Sequence, residues 1–229
     1  MSQKPHAVLW DMDGTLVDTE PYWMAAERAL VESFGGTWSH EEAIQLVGNG
    51  LTESATILRR AGVEMAPDDI VAHLTDEVRT ALAAQGVPFR PGAQELIRDL
   101  QAAGIRTALV TMSLRRMALS VVDLIDFDAF EYVVAGDDVE QPKPHPAPYL
   151  QAAELLGIDI ADALVIEDSV TGLKSGIASG AVALGVPHMI PLDDAGAHAL
   201  WPTLDGRTAE DITELFASVR GTSDAEAER

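Results

Sequence analysis

The sequence predicts an α/β fold, a doubly wound parallel sheet with an α-helical cap inserted after its first strand. Three observations carry this. Short near-continuous apolar runs alternate with helical patterns through the second half of the chain. A similar apolar run opens the chain at His6–Asp11, and the stretch from Thr19 to Gln85 between them is helical in pattern with no convincing strand.

The opening run His6-Ala-Val-Leu-Trp-Asp11 reads as a buried strand leading into the acidic turn Asp11-Met-Asp-Gly-Thr-Leu. Pro21 suits the first turn of a helix that runs to the Gly35-Gly36 stop. Ser39 with Glu42 three residues on forms a capping-box pattern opening a second helix. After the Gly48-Asn49-Gly50 break a third helix reaches Arg60 or Ala61, and Gly62 occupies its C-terminal cap. Pro67-Asp68-Asp69 opens a fourth, which Gly86 ends. The alternating series then begins: a helix from Gly92 to Ala103, the strand Arg106–Thr111, a helix from Leu114 to Leu124 and the strand Tyr132–Ala135. A helix from Pro146 to Leu156, the strand Ala163–Ile166, a helix from Val170 to Ala178 and the strand Ala181–Leu184 follow. A last helix spans Ala209 to Val219, with Gly221 to Arg229 expected to be a frayed polar tail. The domain division is therefore 1–18 with 87–229 as a Rossmann-like α/β core, and 19–86 as a helical cap.

Composition narrows the function. With 47% hydrophobic and 23% charged residues in 229, a packed core is expected. Thirty-seven acidic against 15 basic residues give a net charge of −22, which repels nucleic acid and anionic membranes; no basic patch offsets it. No apolar run approaches the length of a membrane span, no secretory pattern opens the chain, and a cytoplasmic location is expected. The absence of cysteine excludes disulfides and thiolate metal sites. An acidic protein that binds an anion must invert its local field, and a divalent cation does so efficiently. Oligomeric state is not legible.

Open α/β sheets bind ligands at the carboxyl ends of their strands. Those ends carry, in turn, Asp11 and Asp13, then Thr111 and Ser113, then the loop with Lys143, then Glu167 and Asp168. Phosphoryl transfer needs a nucleophile in line, cations for the equatorial oxygens and a proton for the leaving oxygen. A carboxylate can be that nucleophile. Asp11 and Asp13, two apart on extended chain, can address one phosphate, and Gly14 lets the backbone turn beside it. Ionised Asp11, Glu167 and Asp168 beside a phosphate require cations, and magnesium prefers such oxygen ligands. Lys143 is one of only three lysines in the chain. Thr111 and Ser113 offer hydroxyls and nearby N–H groups to phosphate oxygens. A calcium-loop reading of Asp11-Met-Asp-Gly fails, because the sixth and twelfth positions hold Leu16 and Tyr22 rather than glycine and an acid.

The segments Asp-Met-Asp-Gly-Thr-Leu-Val-Asp-Thr, Leu-Val-Thr-Met-Ser, Lys-Pro-His-Pro and Val-Ile-Glu-Asp-Ser-Val-Thr-Gly resemble, in order, the four motifs of the haloacid dehalogenase-like (HAD) hydrolase superfamily. The likeness covers nearly the whole chain. It points to subfamily I with a helical cap, the group of phosphoglycolate phosphatases, sugar-phosphate phosphatases and beta-phosphoglucomutases. The resemblance implies Asp11 as nucleophile and magnesium ligand, and Asp13 as general acid/base with its carbonyl on the metal. It further implies Thr111, Met112 and Ser113 as the phosphate loop and Lys143 as the bridge between phosphate and Asp11. Asp168 becomes a metal ligand, and Glu167 one directly or through water. The partner is then a small phosphorylated metabolite and the cofactor Mg2+. Trp23, Asn49 and Leu51 fall where similar proteins face substrate from the cap. Asp18-Thr19 is expected to be hinge and helix cap, Arg115 and Arg116 a solvated helix face, and His145 a shaper of the lysine loop. Asp13 argues against halide removal. Beta-phosphoglucomutases carry a cap histidine and arginine where Trp23 and Leu51 stand here, which favours hydrolysis over phosphotransfer within one sugar. A catalytically silent binding protein of this fold is the alternative from another class.

Overall fold

The computed structural model describes residues 4–227, with side chains described through residue 221. Six strands form one parallel sheet: β1 (Ala7–Trp10), β2 (Arg106–Val110), β3 (Tyr132–Val134), β4 (Ala163–Glu167), β5 (Val182–Gly185) and β6 (Ala199–Leu200). Their spatial order is β3-β2-β1-β4-β5-β6, every pairing parallel. The chain builds outward from β1 to one edge, then returns and builds to the other. This reversal opens a crevice at the carboxyl end of β1, where open α/β sheets bind ligands.

Both faces of the sheet are covered, as near-continuous apolar strands require. Val8, Trp10, Leu109, Leu164 and Ile166 pack on one side against α5 (Ala93–Ala102) and α9 (Ala209–Ala227), through Leu96, Ile97, Ile212 and Phe216. Ala7, Leu9, Ala108, Val110 and Val165 face the other side, against Tyr149, Ala152 and Leu156 of α7 (Ala147–Leu156). Successive side chains of a strand thus enter different cores, the period-two rule applied to a doubly covered sheet. Helix α6 (Arg115–Val122) follows β2, and α8 (Val170–Ser179) follows β4.

Between β1 and α5 lie α1 (Glu20–Ser33), α2 (His40–Ile44), α3 (Leu51–Arg60) and α4 (Pro67–Gln85), with no strand among them. The Ser39–Glu42 capping box forms as anticipated, closing both N-terminal hydrogen bonds of α2. The two chain crossings into this helical segment lie side by side. Val17 pairs antiparallel with Phe89, the Asp18 N–H donates to the Pro88 carbonyl at 2.7 Å and the Arg90 N–H to Leu16 at 2.9 Å.

Four sequence expectations need correction. Helix α9 continues through Ala227, so no frayed tail begins at Gly221; Glu228 and Arg229 lie outside the described residues. The two-residue strand β6 was not anticipated, being too short to show a period. Thr19 occupies the N-cap position of α1 but makes no side-chain cap hydrogen bond. Arg115 and Arg116 are half-buried and paired rather than solvated, Arg115 with Asp138 and Arg116 with Asp76 on α4 at 3.1 Å. In each arginine a long side chain found an acidic partner distant in sequence, which periodicity cannot register. Among the described residues no helix is long and apolar enough to cross a membrane.

Candidate active site

The residues singled out at the strand ends converge in the switch-point crevice. Asp11 follows β1 directly; Thr111 and Ser113 follow β2; Glu167 ends β4 and Asp168 follows it. Lys143 comes in on the connection between β3 and α7. It is buried and spends its three donors on Asp11 Oδ1 at 2.7 Å, Glu167 Oε1 at 2.7 Å and the Val110 carbonyl at 2.8 Å. Its ammonium also lies 4.9 Å from the centre of the Tyr149 ring. Burial alone would pull the lysine pKa down, but Asp11 and Glu167 outweigh it and the net shift is upward.

Asp11, Glu167 and Asp168 each offer a carboxylate oxygen within 4.8 Å of the others, and all three are buried. Burial, then the charge of Glu167, raises Asp11 to about 7 despite Lys143. Burial, then Asp11 and Glu167, holds Asp168 well above the ordinary carboxylate range. Three buried carboxylates around one ammonium are short of positive charge, and a hard divalent cation fits that deficit. The donor set also says where it fits. Glu167 is spoken for on both oxygens: Oε1 accepts from Lys143 and the Tyr149 hydroxyl at 2.7 Å, and Oε2 accepts from the Ser169 hydroxyl at 3.0 Å. Asp11 keeps Oδ2 free of hydrogen bonds among the described residues, and Asp168 accepts only a 3.4 Å contact from Thr15. Asp11 and Asp168 therefore have coordinating capacity to spare, whereas Glu167 reaches a cation more readily through water.

Local backbone makes these approaches possible. Gly14 has φ +85°, and a Cβ there would lie 2.0 Å from Asp168 Oδ2. At Gly172, in the first turn of α8, a Cβ would lie 1.8 Å from Glu167 Oε1. Both glycines are spacers for carboxylates.

Asp13 faces a different set of partners from Asp11. Its Oδ2 accepts from the Ser113 hydroxyl at 2.7 Å and, at 3.5 Å, from Thr111. Its Oδ1 accepts from the Trp23 indole at 3.2 Å and from the Thr19 hydroxyl. The hydroxyl that would have capped α1 is thus turned onto the catalytic candidate. Asp13's side chain is not part of the three-carboxylate cluster. Thr111 accepts the Ser113 N–H at 3.0 Å, so that amide is engaged within the loop rather than free. Met112 accepts the Lys143 N–H on sulfur at 3.3 Å, which ties the phosphate-loop candidate to the lysine loop. His145 shapes that loop as anticipated: Nδ1 accepts the Ala147 N–H at 3.1 Å and its carbonyl accepts from Ser175 at 2.6 Å.

One cavity joins these groups to the helical segment. Its walls include Asp11, Asp13, Thr111 and Lys143 on one side and Trp23, Asn49 and Leu51 on the other. Trp23 is at once wall, buried packing and donor to Asp13. Sequence reasoning missed Glu20 and Glu27 of α1, which also line the cavity. The signal was present as acids on a helix that carries Trp23, but acids on a helix usually face water. Tyr149 was missed too, because a tyrosine in an apolar helix reads as core; its hydroxyl is what fixes Glu167.

Comparisons with known proteins bear on the family. The model of the haloacid dehalogenase-like hydrolases matches residues 5–180. A bifunctional riboflavin kinase/FMN phosphatase of Arabidopsis thaliana is 33% identical over 187 residues, 80% of this chain and 48% of that protein. The chain thus spans about half the length of that relative. A phosphoglycolate phosphatase of Nitrosococcus oceani is 30% identical over 210 residues, 85% of this chain and 91% of the relative. A crystal structure of a mutant CbbY from Rhodobacter sphaeroides in complex with xylulose-(1,5)bisphosphate superposes with a TM-score of 0.80 at 25% identity, covering 88% of this chain and 96% of that one. With a match to most of its length and an α/β sheet of the same kind, the chain belongs to the haloacid dehalogenase-like hydrolases.

Proposed function

We propose that the protein is a Mg2+-dependent phosphatase that hydrolyses small phosphate monoesters through an aspartyl-phosphate on Asp11. The observation that carries this is the buried set Asp11, Glu167 and Asp168 around Lys143 at the switch point of the sheet. Residues 1–18 and 87–229 form the catalytic core in this reading, and 19–86 the cap that supplies the far wall of the cavity.

Asp11 and Asp168 would hold the ion, with the Asp13 carbonyl as a further ligand and Glu167 acting through water. When bound, the ion would supply positive charge for the phosphate oxygens. Lys143 fixes the Asp11 carboxylate through Oδ1; one oxygen of that carboxylate attacks phosphorus and the other would meet the ion. As the Asp11–phosphorus bond forms, the bond to the ester oxygen breaks, and Asp13 delivers a proton to the leaving alkoxide. Water then attacks the same phosphorus, its proton passes to Asp13, and Asp11 is released with inorganic phosphate. Ser113 and Trp23 orient Asp13 for both transfers. Thr111 and the loop through Ser113 receive the phosphate oxygens. Transfer to a second position on the same sugar needs a group to hold a second phosphate. Trp23 and Leu51 offer none, so water is the favoured acceptor. The relatives' names point to phosphorylated metabolites as substrates, a sugar phosphate among them.

The test is phosphate release from p-nitrophenyl phosphate with Mg2+, with EDTA, and in Asp11→Asn. Release that needs Mg2+ and is abolished in Asp11→Asn is expected. No turnover of any phosphate ester would favour a silent binding protein. Glucose 6-phosphate accumulating from β-glucose 1-phosphate would favour a mutase.

A further inference from the structure

The cap-side wall of the cavity has an unusual charge pattern for a site that receives phosphate esters. Lys143 is the only basic residue among those lining it, and its donors are committed to Asp11, Glu167 and Val110. The helix that crosses the far wall contributes two acids instead. Glu27 is 6% exposed; its Oε2 accepts a long 3.4 Å hydrogen bond from the Trp38 indole, and Oε1 has no partner among the described residues. Glu20, one helical stretch nearer Asp13, accepts no side-chain hydrogen bond among the described residues. Neither has an ion-pair partner there. Asn49 and Ser54 add neutral hydrogen-bonding groups to the same wall.

We infer that this wall selects phosphate monoesters whose leaving group is uncharged or carries an ammonium, and rejects those bearing a carboxylate or a second phosphate. The inference rests on the phosphatase reading above and names its substrate class. Glu27 is buried and Glu20 half-buried, and a ligand hydroxyl or ammonium in the cavity supplies the donor that their unpaired oxygens lack. Burial first, then neighbouring acids, lifts Glu20 to about 8, and burial lifts Glu27 to about 7. A second anion on the ligand would find no counter-charge on this wall, and as Glu27 and Glu20 ionise it would meet like charge, which is how sites exclude wrong partners. Glu27, with one oxygen held by Trp38 and one open, is the specificity-determining residue.

Phosphate release from glucosamine 6-phosphate, glucose 6-phosphate, phosphoglycolate and fructose 1,6-bisphosphate tests this, with p-nitrophenyl phosphate as reference. Both monophosphorylated sugars should exceed both doubly anionic esters in kcat/KM by at least about tenfold, the amino sugar being the better of the two. In Glu27→Gln the preference for glucosamine 6-phosphate over glucose 6-phosphate should shrink by about threefold or more, chiefly through KM. These two sugars differ only in amine against hydroxyl, so a general loosening of the fold would not move their ratio. Phosphoglycolate or the bisphosphate matching the sugars in the wild-type protein overturns the inference, whether or not the variant folds. Turnover of p-nitrophenyl phosphate with no discrimination among the other four overturns it alone; no release from any ester overturns the phosphatase reading with it.

Discussion

Lys143 is the residue on which the site's electrostatics turn. It is one of three lysines in a chain of net charge −22, and it is the cation that Asp11 and Glu167 share. Lys143→Met would leave two buried carboxylates unpaired, and losing one partner of a buried pair costs about 3–5 kcal/mol. Urea denaturation of the metal-free variant should show that loss, and phosphate release should fall with it. Glu27 gives a cleaner pH signature. Burial raises its folded-state pKa from 4.5 to about 7, so the folded protein holds this proton more tightly than the unfolded chain. Its contribution to stability is therefore fully present below pH 4.5 and is lost as pH rises through about 7. Glu27→Gln keeps an acceptor for Trp38 and removes the ionisation. The variant should gain on the wild type as pH rises from 4.5 to 7, by on the order of 2 kcal/mol, and then level off. Denaturation midpoints across that range measure the difference; a constant offset would refute the assignment.

At the scale of elements, the junction between β4 and α8 is the tightest constraint on the site. Glu167 closes the strand, Ser169 caps the helix by accepting the Gly172 N–H at 3.0 Å, and Gly172 leaves room for the carboxylate behind it. Gly172→Ala would drive a methyl group into Glu167, displacing the oxygen that Lys143 and Tyr149 share. A loss of about 2 kcal/mol or more is expected, together with weaker catalysis, although alanine ordinarily favours a helix over glycine. Helix α1 makes the opposite trade. Thr19 gives up the cap to donate to Asp13. Thr19→Val should therefore lower kcat through a less well oriented Asp13 while changing helix stability little, since the cap bond was never made. Circular dichroism and steady-state kinetics on the same preparation separate the two effects.

For the whole molecule, the reversal of strand order at β1 sets the location of the crevice. Crossing segments at Val17 and Phe89 tie the helical insertion to that point, and His188 reinforces it with a 2.9 Å contact to Asp18 and a hydrogen bond to Arg90. Because the cluster of Asp11, Glu167 and Asp168 is short of cations, Mg2+ should stabilise the folded protein by mass action. Millimolar Mg2+ should raise Tm by a few degrees relative to EDTA, by about 2–4 °C for each kcal/mol of binding in a chain of this size. Asp168→Asn should shrink that rise. An equal response in wild type and variant would place the ion elsewhere.

Much of this molecule was legible in its sequence. Buried strands are near-continuous apolar runs because both faces are covered, and helices announce themselves through capping and glycine stops, so element order followed from local chemistry. The strand-end rule then located Asp11, Asp13, Thr111, Lys143, Glu167 and Asp168 before any contact was known. Tertiary structure alone decided who partners whom. It committed both Glu167 oxygens, through Tyr149 and Ser169, and left Asp11 and Asp168 with capacity for a cation. It also turned Thr19 onto Asp13, paired Arg115 and Arg116 with distant acids, and put Glu20 and Glu27 on the cavity wall. The physical reason is the same in each case. Periodicity and capping depend on residues a few positions apart, whereas the environment of a charge depends on which groups the fold brings within a few ångströms and on how much water it removes.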